Sequence, residues 1–89
     1  MVLLIYFSAF DCRSTVSVNE FSSVEEAKAA MHWQFEDNIL EEKFKRIDPS
    51  SDVKDQLLKI GVDLYKYADN EIAYSDEDGN VSHWKVSVI

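Results

Sequence analysis

Residues 24–47 read VEEAKAAMHWQFEDNILEEKFKRI, and the fold class turns on this stretch. Val24, Ala27, Met31, Phe35 and Ile39 recur at spacings of three and four, the signature of an amphipathic helix. A second row, Trp33, Leu40, Phe44 and Ile47, keeps the same period and, at about 100° per residue, lies nearly back to back with the first. A helix that covers a core needs one apolar stripe and a polar reverse face. The second stripe therefore asks for a second cover, either another helix of the chain or a separate partner, and the first of these is the expectation.

The borders of the helix are marked chemically. Ser22-Ser23 followed by Glu25-Glu26 forms two overlapping capping boxes, Ser22 with Glu25 and Ser23 with Glu26. Phe21 can staple the entry, and Lys43, Lys45 and Arg46 suit the negative end of the helix dipole. Asp48-Pro49 ends the helix, because a residue before proline is pushed out of the α region.

Upstream, Val2 to Phe10 is apolar nearly throughout, as in a central strand covered on both faces. Asp11-Cys12-Arg13 breaks it, and Thr15 to Val18 resumes with alternation, which predicts a β-hairpin. Downstream, Ser50-Ser51-Asp52 offers a second helix cap. Val53, Leu57, Ile60, Leu64 and Tyr67 then form a helical seam that runs through Gly61. One reading is a single helix to about Ala68; the other stops at Gly61 and makes Val62 to Tyr67 a strand. The intact seam favours the single helix. Glu71 to Ser75, a turn at Asp76 to Asn80 containing Asp-Gly, and the alternating Val81 to Val88 predict a closing hairpin.

The expected architecture is thus one two-layer α+β domain over residues 1–89, in the order ββααββ. It has a four-stranded antiparallel sheet with both helices on one face, strand 1 central and the last strand beside it. Eighty-nine residues suit one domain, and 46% hydrophobic content is too high for a disordered chain.

The charge is lopsided, with seventeen acids against nine bases and a formal net charge of −8. Such a surface repels nucleic-acid phosphates and anionic membranes, and favours encounter with a basic protein. Cys12 is the only cysteine, which fits a reducing compartment, and VLLIYFSAF lacks a preceding basic residue and is far too short to span a bilayer. A cytoplasmic location without direct nucleic-acid or membrane binding is expected.

Catalytic signals are weak. Cys12 has an adjacent arginine that can lower a thiol pKa, but no local base. His32 and Glu36 sit one helical turn apart, yet zinc sites collect three or four ligands. Asp76 to Asn80 suggests a calcium loop until it is registered on Gly79, where Tyr74 and Lys85 occupy ligand positions. No glycine-rich phosphate loop or nucleophile elbow is present. No enzyme, metal or cofactor is expected, and a small enzyme built on Cys12 or the His32–Glu36 pair ranks last.

The leading functional expectation is a non-catalytic protein-binding module, most concretely an acidic inhibitor. In it Glu36, Asp37, Glu41, Glu42, Asp76, Glu77 and Asp78 stand in for phosphates on a basic nucleic-acid-binding protein. In length, acidity and lack of motifs the chain resembles phage-encoded counter-defence proteins such as anti-CRISPR inhibitors, a resemblance of character that no residue motif carries. The alternative is a structural or regulatory domain that forms a homodimer through the Trp33, Leu40, Phe44 and Ile47 stripe.

Overall fold

The computed structural model describes residues 1–10, 13–42, 53–59 and 61–89. Its elements are β1 (Val2–Phe10), β2 (Arg13–Phe21), α1 (Val24–Glu42), α2 (Val53–Lys59), β3 (Asp63–Ala68), β4 (Glu71–Ser75) and β5 (Val81–Val88). The α+β class holds, but the order is ββααβββ and the sheet has five strands, not four. All neighbours are antiparallel, in the order β2-β1-β5-β4-β3. β5 therefore takes the centre, with β1 beside it.

The extra strand comes from the segment expected to continue the second helix. Gly61 takes φ +84°, a left-handed conformation open to glycine at little cost. The Gly61 N–H donates to the Leu58 carbonyl at 3.2 Å, and the Val62 N–H donates to the Leu57 carbonyl at 2.9 Å. That bond pair is a Schellman cap, which closes α2 and turns the chain out. β3 then pairs with β4 through a bulge between Leu64 and Lys66. Strand side chains alternate, so Leu64 and Tyr67, three residues apart, would normally face opposite ways. The extra residue, Tyr65, returns both to the helix side, opposite Tyr74 and Ile72. A bulged strand thereby reproduces a three-residue spacing that reads as helical.

The α1 start keeps the Ser23–Glu26 cap, while Ser22 engages Glu26 rather than the expected Glu25. Ser23 Oγ accepts from the Glu26 N–H at 3.2 Å, and the Ser22 hydroxyl donates to Glu26 Oε2 at 2.6 Å. Ala27, Met31 and Phe35 are buried from the first stripe. They pack with Leu57 of α2 on one sheet face, formed by Leu4, Leu64, Ile72, Tyr74, Trp84 and Val86. Phe35 stands edge-on to Tyr67, Tyr74 and Trp84, with centroids 5.6–6.1 Å apart. The Trp84 indole N–H donates to Gln34 Oε1 at 3.1 Å, tying helix to sheet.

The other sheet face carries no helix among the described residues. The pairing registers place Leu3, Ile5 and Phe7 of β1 there, flanked by Val18 and Val16 of β2 and by Lys85 and His83 of β5. Among the described residues the long apolar run of β1 is therefore core on one side, with Leu3, Ile5 and Phe7 half-buried on the other, rather than covered by helices on both faces as expected. Val16 and Val18 are 61% and 54% exposed.

Candidate functional site

The acids singled out in the sequence fall on two elements, α1 and the β4–β5 turn, that meet along the helix side of the sheet. Glu36 and Asp37 lie on α1, Glu36 exposed and Asp37 half-buried. The next residue, Asn38, lines a surface pocket of about 260 Å³ together with Asp76 and Asn80 of the turn. Glu36 lies near Tyr67 of β3, whose phenol is pushed up chiefly by burial and then by the Glu36 carboxylate. Glu41 and Glu42 are placed as backbone in the last turn of α1.

Within the turn the three acids do different work. Asp76 shapes the backbone: its Oδ1 accepts from the N–H groups of Asp78 and Asn80 at 2.9 and 3.0 Å, and its Oδ2 accepts from the Asn80 side-chain amide at 3.0 Å. An aspartate that satisfies turn amides in this way specifies the hairpin. Glu77 lies over Gly61, across the α2–β3 connection, and Asp78 is exposed. Of the predicted set, Glu36, Glu77 and Asp78 are thus exposed and Asp37 is half-buried, on two elements that share one pocket through Asn38 and Asp76.

The second stripe of α1 divides. Trp33 is 67% exposed, so at this position the expectation of an internal helix cover fails. Ala27, Met31 and Phe35 turn toward the sheet, and Trp33 projects away from it. Leu40 is placed as backbone in α1, and Phe44 and Ile47 lie outside the described residues, as do Cys12 and the Asp48-Pro49 and Ser50-Ser51-Asp52 caps.

His32 packs edge-on against Tyr67, with ring centroids 5.8 Å apart. Among the described residues no group of three His, Cys, Asp or Glu side chains is placed to hold a metal. A second depression of about 430 Å³ lies between Arg13 and Ser14 and the Asp78–Asn80 turn. Its charged side chains, Arg13 and Asp78, are exposed and lack the enclosure of a ligand cleft. No helix of the described residues is long and apolar enough to cross a membrane.

One charged contact escaped the sequence reading. With Nε2 protonated, His83 donates to Glu71 Oε2 at 2.7 Å on the helix-free face. That bond, the largest influence, holds the Glu71 carboxyl below the usual range against the opposing effect of burial, with the charges of His83, Lys85 and Lys66 adding to the lowering. The two residues lie twelve apart on neighbouring strands, so only the β4–β5 register reveals the pair. No protein-family model, curated protein or solved structure matches the chain. The fold defines a two-layer α+β protein whose candidate chemistry lies on open surface.

Proposed function

We propose that this protein is a non-catalytic binding module whose acidic margin engages a basic nucleic-acid-binding protein in the manner of a phosphate backbone. The observation that carries this reading is that α1 and the β4–β5 turn line one pocket, through Asn38, next in sequence to Asp37, and Asp76, next to Glu77. Glu36, Asp37, Glu77 and Asp78 supply separated negative groups on two rigid elements, as a basic groove requires. Steering by a net charge of −8 acts in the same direction.

The test uses the immobilised protein beside a variant with Glu36→Lys, Asp37→Lys, Glu77→Lys and Asp78→Lys, both challenged with nuclease-treated lysate. The expected result is a basic nucleic-acid-binding protein held by the wild-type surface at low salt, released at high salt or by added duplex DNA, and not held by the variant. Exposed charges are screened beyond about 10 Å at 0.1 M salt, so salt is a direct probe of the mechanism. Retention that survives charge reversal, or an empty column at low salt, overturns the reading.

A further inference from the structure

We infer that the chain self-associates edge to edge, the outer edge of β2 pairing antiparallel with β2 of a second copy about a two-fold axis at Ser17. This rests on the sheet edges and is independent of the acidic-margin reading. β2 and β3 end the sheet, and the two edges differ. β3 has six residues, a bulge at Tyr65, charged Asp63 and Lys66, and a Tyr65 hydroxyl 2.6 Å from Ser75 Oγ. Short length, bulges and lysine are the devices that keep a strand edge from pairing.

β2 has none of them. It runs nine residues, RSTVSVNEF, without proline, lysine or bulge, and Arg13 to Glu20 are exposed throughout. Among the described residues no strand pairs with its outer edge, and a bare edge of that length presents backbone donors and acceptors in a row, a template for another strand.

The side chains select a second copy as that strand. With Ser17 on the axis, Val16 lies opposite the partner's Val18 and the partner's Val16 opposite Val18. Thr15 then faces the partner's Asn19, and Ser14 faces the partner's Glu20. Apolar meets apolar and polar meets polar at these inner positions, while at the strand ends Arg13 comes opposite the partner's Phe21, one position from the partner's Glu20; inner cross-strand pairs of this kind stabilise a sheet. The only charges of the strand, Arg13 and Glu20, lie near opposite ends, so antiparallel pairing sets the basic end of one copy beside the acidic end of the other. A chain of net charge −8 thus meets its copy along a strand that is itself neutral. The valines also join Leu3, Ile5 and Phe7 of both copies into one continuous apolar surface on the helix-free face.

The pairing fixes a register that cysteines can read. Directly opposed residues in an antiparallel pair have Cα atoms about 4.5–5.5 Å apart, inside the roughly 4.4–6.8 Å span of disulfides. In a Cys12→Ser background, Ser17→Cys should cross-link to itself under mild oxidation. Thr15→Cys and Asn19→Cys should cross-link efficiently only when the two variants are mixed. In sedimentation, the wild-type mass should rise from 10.3 kDa toward twice that value with concentration. Val16→Lys with Val18→Lys should remain folded by circular dichroism and stay monomeric, and Trp33→Lys should still dimerise. A monomer at every concentration, a dimer that Trp33→Lys dissolves, or cross-linking that ignores the 15–17–19 pattern overturns the inference. If the double-lysine variant fails to fold, the cysteine pattern alone decides.

Discussion

Gly61 shows how much one residue settles in this fold. Its φ of +84° places it where a side chain strains the backbone, and a Cβ there would also collide with the Glu77 side chain. The backbone term is about 1–2 kcal/mol for a residue other than glycine. The collision is with the outer part of an exposed side chain, which can swing away. Gly61→Ala is therefore expected to cost about 1–2 kcal/mol, read by denaturant titration. In a Glu77→Ala background the cost should fall only slightly, because the backbone term persists. A cost that vanished there would mean that the collision, not the left-handed turn, sets the requirement. Gly61 was visible in the sequence as a flaw in a helical seam. Its role as a stop was not decidable there, because the seam continued through Leu64 and Tyr67 on the far side.

Among the elements, α1 is the one whose beginning is written locally. Ser23 Oγ accepts the Glu26 N–H, while Ser22 holds the Glu26 carboxylate by its hydroxyl. Ser23→Ala should cost about 1 kcal/mol, since it leaves a first-turn amide without its cap. Ser22→Ala should cost less, because it removes only an exposed side-chain bond; thermal denaturation of the two single variants separates them. If both cost the same, the cap is shared between the serines, as the overlapping boxes had suggested. The hairpins were equally legible: the β5 alternation that buries Trp84 and Val86, and the Asp-Gly turn, both depend on near neighbours. β3 was legible only as the less favoured of two readings, because its bulge converts period two into a spacing of three, and the partner that stabilises the bulge is β4.

For the whole molecule, the helix-to-sheet contact is the source of stability and Phe35 is its centre, 1% exposed and in ring contact with three sheet residues. Phe35→Ala is expected to cost about 3–5 kcal/mol, combining lost burial with the cavity left behind. Against a usual total of about 5–15 kcal/mol, that loss should lower the unfolding midpoint markedly or leave the chain unfolded. A loss of less than about 1 kcal/mol would place the core elsewhere, since surface substitutions fall in that range. The one-sided layering also explains the molecule's asymmetry. Glu36 and Asp37 lie with α1 on the helix side, whereas the reverse face sets Glu20, Asp63 and Glu71 against Lys66, Lys85 and His83 around an apolar strip.

By itself the sequence determined the acidic charge, the cap and core stripe of α1, the two terminal hairpins and the α+β class. Each of these depends on residues close together in the chain, where period, capping chemistry and turn geometry act directly. Only the tertiary structure decided that the segment after Gly61 is a strand, that β1 is covered on one face, that Trp33 faces outward, that Glu71 meets His83, and that β2 is left as a bare edge. Those outcomes depend on which distant strands pair and in what register, and an apolar residue carries the same local signal whether its far neighbour is a helix, a strand or solvent.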